Sequence, residues 1–178
     1  MTTKILFFDT CSLIKFFKHE KGSDKVKWLE RNKVVESLHF VINEQICIEF
    51  DNKIQQFSEQ NRITNAEAIL DKFDKHYKNK IFRVIGQEII STDPSKVGKS
   101  IKEINNELNL SEGKDDWDGL IYQSIINHLA FLAGESHPIL VTSDSRFADK
   151  VKVKGYRVIN PEKQSIEEIM LIINSEIK

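Results

Sequence analysis

Asp9, Asp118 and Asp144 occupy equivalent places in their local sequence. Asp9 ends an apolar run and opens a helical pattern (FFDTCSL), and Asp144 does the same (LVTSDSRF). Asp118 falls in the first turn of another helical pattern (KDDWDGLIYQSI). Singly, each has an ordinary explanation, because Asp caps the free N–H groups of a helix and suits the positive end of its dipole. Jointly they set carboxylates along one edge of a parallel sheet, where strand ends and helix starts meet and ligands bind. Clustered carboxylates without His or Cys companions suit hard divalent cations, Mg²⁺ or Mn²⁺, one or two of them. The chemistry such a cluster supports is phosphodiester hydrolysis by a metal-activated water.

The helical wheel sharpens one of these acids. At about 100° per residue, Asp118 shares a face with Tyr122, Ile125 and Leu129, Asp115 lies about 60° away, and Asp116 points roughly opposite. A carboxylate heading an apolar stripe faces inward, where an unpaired charge is costly, and so calls for a cation. Asp116 reads as a solvated first-turn acid, and Asp115 as either a cap or a further ligand. After Asn43, Glu49 flanks the stripe Ile46–Phe50–Phe57 on one side, while Glu44 and Asp51 flank it on the other. Periodicity does not choose among these three acids.

Other chemistries lack their residues. No GxxxxGK[ST] or GxGxxG loop is present to cradle nucleotide phosphates, and no Gly-x-Ser-x-Gly elbow for serine hydrolysis. Cys11 and Cys47 stand outside any zinc-ligand spacing and read as buried free thiols, and the 5 His are scattered.

The acids need elements to position them. KILFF (4–8) reads as a buried strand, followed by helical spacing at Leu13, Phe16 and Phe17 and, after Gly22-Ser23, by a second helix to about Asn32. HFVI (39–42) is the second strand candidate, and Asn43 is a good N-cap for the long helix bearing Ile46, Phe50, Ile54 and Phe57. Residues 64–77 predict a helix, KIFRVI (80–85) a strand or an extended connection, and Asp93-Pro94 the start of a helix running to about Leu110. A helix from Asp115 or Asp116 to about Gly134 precedes the strand PILVTS (138–143) and a short helix from Asp144 to Lys152. YRVIN (156–160) is the last strand, and Pro161 leads into a C-terminal helix. Strands alternating with helices predict an α/β fold with a mostly parallel sheet.

The 178 residues hold one well-buried core and are short for two, so a single domain spanning 1–178 is expected. A hydrophobic share of 40% beside 30% charge, with 7 Gly and 3 Pro, excludes a disordered or fibrous chain. The apolar stretch Ile5–Phe8 is far too short for a signal peptide, and no run approaches the ~20 apolar residues of a membrane span. The expected compartment is the cytoplasm, with no membrane partner.

The order of these motifs resembles the PIN-domain nucleases. FFDTCSLIKFF resembles their first motif, and NEQICIEF the second, in which a helical Glu follows a polar residue by six positions. DGLIYQSI and LVTSDSRF resemble the third and fourth, and the likeness runs in order from about residue 4 to 160. The resemblance, and not the wheel, selects Glu49 over Glu44 and Asp51. It implies a three-layer α/β/α sandwich, RNA cleavage, and a metal held by Asp9, Asp118 and Asp144 with Glu49 directly or through water. Thr10, Ser12, Thr142 and Ser143 then lie near the site, with Thr142 orienting a carboxylate or water and the two serines serving as turn hydroxyls. Two departures stand out. Arg146 occupies a place where that family often carries another acid, which frees it to meet a phosphate. Residues of about 60–112 form an additional helical insertion.

Lys plus Arg (26) and Asp plus Glu (27) nearly cancel to −1, so a nucleic-acid surface has to come from local placement. Lys96, Lys99 and Lys102 recur near one helical face and are the preferred candidate, with Lys99 as its representative. Lys72, Lys75, His76, Lys78, Lys80 and Arg83 form a second cluster, and Lys150, Lys152 and Lys154 a third. The expected function is a Mg²⁺/Mn²⁺-dependent endoribonuclease, a toxin of a toxin–antitoxin pair or a related defence nuclease. RNA is its substrate, and an antitoxin or inhibitor protein and a second copy of the chain are candidate partners. The rival is a catalytically weak PIN-like scaffold that binds RNA or protein without cutting. A phosphatase of the haloacid-dehalogenase kind needs an acid where Cys11 stands.

Overall fold

The structure, a computed structural model, describes residues 3–85, 101–110, 119, 121–122 and 138–175. Five strands, β1 (Lys4–Phe8), β2 (Leu38–Asn43), β3 (Phe82–Ile85), β4 (Ile139–Val141) and β5 (Val158–Ile159), form one sheet. Its order is β3-β2-β1-β4-β5, and every pairing is parallel. The helices bounded within the described residues are α1 (Thr10–Phe17), α2 (Ser23–Arg31), α3 (Glu44–Glu59), α4 (Ala66–Lys78), α5 (Ile101–Leu108), α6 (Ser145–Val153) and α7 (Ile166–Asn174). The architecture is α/β/α. The chain crosses the sheet one way from β1 to β3 and the other way from β4 to β5, and right-handed crossovers, the rule for parallel strands, put the two sets of helices on opposite faces.

The apolar runs become strands because both faces of the sheet are covered. Ile5, Leu6, Phe7 and Phe8 are all buried, as are Ile139, Leu140 and Val141. One face is a ring cluster: Phe8 lies 5.2 Å from Phe16 and 5.0 Å from Phe40, with Phe82 6.0 Å from Phe40. Truncating one such Phe to Ala costs about 3–5 kcal/mol. That face packs α1, which in turn packs against α2, α3 and α4.

KIFRVI resolves as a hydrogen-bonded strand, with Phe40 opposite Phe82 and Ile42 opposite Val84. The stretch of about 60–112 therefore holds α4 and α5 and also supplies β3 to the sheet, and α4 buries Ile69 and Phe73. Pro161 leads into the last helix as expected, by way of a turn. Residues 161–163 turn first, and α7 begins after Ser165, whose side chain and that of Glu168 form a reciprocal capping box. The S-x-x-E signal at 165–168 marks where the helix starts. The expected helix from Asp115 or Asp116 to Gly134 lies outside the described residues except for positions 119, 121 and 122, which are helical. The expected start at Asp93-Pro94 also lies outside them. Among the described residues no helix is long and apolar enough to cross a membrane.

Candidate functional site

The strand order reverses between β1 and β4, which pair parallel with Phe8 opposite Val141. In an open α/β sheet the crevice beyond the strand ends at such a reversal is where ligands bind. The register sets Asp9 directly beside Thr142 at that crevice, and the Asp9 N–H donates to the Val141 carbonyl at 3.1 Å.

Asp9 leaves β1 in extended backbone and caps α1, accepting the Ser12 N–H at 2.9 Å on Oδ1. The Thr142 hydroxyl donates to its Oδ2. The Cys11 thiol lies 3.0 and 3.1 Å from its two oxygens and accepts the Ser143 N–H at 3.1 Å. The strand-end loops after β1 and β4 are thus tied together through one carboxylate and one thiol. Asp9 is buried, and that burial holds its carboxyl above the ordinary Asp range. The bonds from Thr142, Cys11 and Ser12 oppose the shift, and the negative charge of Glu49 adds to it. Burial likewise pushes the Cys11 thiol up, so it stays protonated as a donor.

Glu49 projects from α3 toward the same place. The Thr10 hydroxyl donates to its Oε2, and the Lys53 ammonium sits 2.9 Å from its Oε1. The two acids that periodicity left level with it go elsewhere: Glu44 and Asp51 line a separate groove with Cys47, Phe73 and Tyr77. Burial lowers the Lys53 ammonium, yet its bond to Glu49 and the charges of Glu49 and Asp9 more than offset this and leave its pKa raised. Lys53 was not singled out from sequence. The signal was its spacing of four residues beyond Glu49, a helical ion-pair distance.

Asp144 follows β4 and caps α6, with Oδ1 accepting the Phe147 N–H at 2.9 Å. Its own N–H donates to the Thr142 hydroxyl at 3.0 Å. Thr142 therefore bridges Asp9 and the start of α6. Arg146 is exposed in the first turn of α6. Asp115, Asp118, Lys96 and Lys99 lie outside the described residues, as does the Lys102 side chain. Tyr122, on the expected face of Asp118, is buried and stands 5.6 Å from the Tyr156 ring.

Among the described residues no three His, Cys, Asp or Glu side chains form a group able to hold a metal ion. Asp9 and Glu49 nevertheless suit a hard cation: both offer carboxyl oxygens, and Asp9 is buried where a bound cation would favour its ionised form. The Ser12 and Ser143 hydroxyls beside them are buried without a hydrogen-bond partner among the described residues.

The expected basic clusters sit differently. Lys80 and Arg83 line a pocket with Lys33, Leu38 and His39, at the opposite end of β2 and β3 from Asp9. Lys150 donates to the Asn109 carbonyl and Lys154 pairs with Glu107 at 3.7 Å, holding the end of α5 against α6. Both cysteines are free and only half-buried.

No protein-family model matches the chain, and no curated protein matches it. Among solved structures it is similar to PAE2754 from Pyrobaculum aerophilum, with 17% identity over 98% of this chain and 91% of that one and a TM-score of 0.52. The likeness is one of fold.

Proposed function

We propose that this chain is a divalent-metal-dependent endoribonuclease whose site lies in the crevice between β1 and β4. The observation that carries the reading is Asp9: a buried carboxylate at the sheet's reversal point, braced by Thr142, Cys11 and Ser12 and facing a second acid, Glu49. Asp9 and Glu49 would hold the ion, Asp144 lies at the same strand edge, and Asp118 and Asp115 complete the proposed set. A bound Mg²⁺ or Mn²⁺ supplies a water of lowered pKa and polarises the phosphodiester.

The chain's own residues fix the geometry. Thr142 and Ser12 hold the Asp9 carboxylate from two sides, so it does not swing when charge arrives. Thr10 does the same for Glu49. Lys53 neutralises Glu49 at rest and, once the acid turns to a metal, is placed to meet a substrate phosphate. Arg146 and Lys99 are the further phosphate contacts proposed. A cytoplasmic toxin or defence role, an inhibitor protein and a homodimer belong to the same reading.

A second reading has one observation in its favour. The Lys53 ammonium already stands against Glu49, as it would in a scaffold that binds RNA without a metal. Incubating wild type, Asp9→Asn and Asp118→Asn with single-stranded RNA, structured RNA and DNA, in Mn²⁺, Mg²⁺ or EDTA, separates the two. The nuclease gives cutting in Mn²⁺ that falls by at least about a hundredfold in each variant and stops in EDTA. Cutting in EDTA, or at full rate in Asp9→Asn, overturns the mechanism, and RNA binding without cutting selects the scaffold.

A further inference from the structure

Beyond the carboxylates, α3 carries a second feature. Glu49, Lys53 and Phe57 recur at four-residue intervals along one face, so the row runs about 12 Å from the candidate metal site outward. Lys53 and Phe57 line a groove of about 450 Å³ together with Cys11, Asp144, Gln56 and Arg62. Arg62, exposed just beyond the helix, lays its guanidinium over the Phe57 ring at 4.3 Å from the centroid. The Lys18 ammonium stands 4.8 Å from the same ring. Two of the acids that line the groove are paired with cations, Glu162 with the buried Lys15 at 2.7 Å and Glu20 with Lys18 at 2.8 Å, while the third, Asp144, is engaged in capping α6. What the groove offers a ligand is therefore a planar cation backed by an aromatic ring, with a second cation between it and the carboxylates.

We infer that the Phe57–Arg62 pair is a stacking platform for one base of a single-stranded nucleic acid whose adjacent phosphate lies toward Lys53. Unstacked bases are bound on aromatic rings and on Arg guanidinium planes, and a row of cations tracks the backbone between them. A duplex hides the faces of its bases and gains little here. The platform places the scissile phosphate on the carboxylate side of a stacked nucleotide, so it would set both substrate form and cutting register. This subsite rests on the nucleic-acid reading above for its ligand, but not on catalysis.

Fluorescence anisotropy in EDTA tests it without any cleavage. The probes are labelled oligouridylate, oligothymidylate and an RNA duplex, and the proteins are wild type, Arg62→Ala and Phe57→Leu, with thermal unfolding confirming that each is folded. The expected result is tighter binding of both single strands than of the duplex, and a loss of roughly tenfold for single strands in each variant. Phe57→Leu retains apolar packing, so its loss reports the ring. Equal binding of duplex and single strand, no binding of either, or unchanged affinity in both variants overturns the platform. If the affinities shift as expected while no metal supports cutting, the platform stands and the nuclease reading falls. Metal-dependent cutting with unaltered affinities gives the reverse.

Discussion

Asp9 performs two tasks with one side chain: it caps α1 and it sets a buried carboxyl in the crevice. Asn caps a helix as well as Asp does, so Asp9→Asn separates the tasks. Because the folded pKa of Asp9 lies above its unfolded value, the folded state binds this proton more tightly. Stability from this group is then greatest at low pH and declines as pH rises through the folded pKa. In EDTA, Asp9→Asn should match wild type at the acid end and become relatively more stable as pH rises. Thermal unfolding across pH measures this, and parallel curves would contradict it. Thr142→Val removes a buried hydroxyl that serves both Asp9 and the Asp144 N–H. It should cost about 1–3 kcal/mol in denaturant unfolding. It should also lower cleavage more than Thr142→Ser does, which keeps the donor. At this scale the sequence was legible where chemistry is local. Asp9, Asn43 and Asp144 each sit at a strand end and cap the next helix, as their type and place foretell. The bonds of Cys11 and the separation of Glu49 from Glu44 and Asp51 depend on contacts across the chain, which periodicity does not carry.

The elements show why some boundaries could be read and others not. β1 and β4 are short apolar runs buried on both faces, and such runs stand out in any sequence. β3 alternates less clearly because it is an edge strand with Arg83 exposed, so its pairing had to be seen. The turn between α1 and α2 shows a constraint no pattern reveals. Gly22 has φ of 83°, and a Cβ there would lie 2.7 Å from both the carbonyl carbon and the oxygen of Pro161. This close approach brings the α1–α2 turn against the turn after β5, which Lys15 of α1 also holds through Glu162 beside the groove. Gly22→Ala should therefore destabilise by more than the about 1–2 kcal/mol of a left-handed backbone alone, and chemical denaturation reads the loss. A cost near zero would mean the two turns move apart freely.

For the whole molecule, a net charge of −1 conceals local contrasts: carboxylates at the sheet's reversal, and beside them a groove lined by Lys53 and Arg62. A cation bound among the acids stabilises the folded state by mass action, about 2.7 kcal/mol at a hundredfold excess over its Kd. Mn²⁺ should thus raise the unfolding midpoint of wild type and leave that of Asp9→Asn nearly unmoved in differential scanning fluorimetry. An equal rise in both would place the ion elsewhere. The reversal of strand order also governs when the site comes into being. Asp9 and Thr142 meet across 133 residues, with β1 in the middle of the sheet waiting for β4 to arrive on its open side. A chain emerging from the ribosome carries its first acid early, and its brace only after most of the domain has been made. Until β4 has been made, β1 is paired with β2 on one side alone and the crevice that joins Asp9 to Thr142 does not exist.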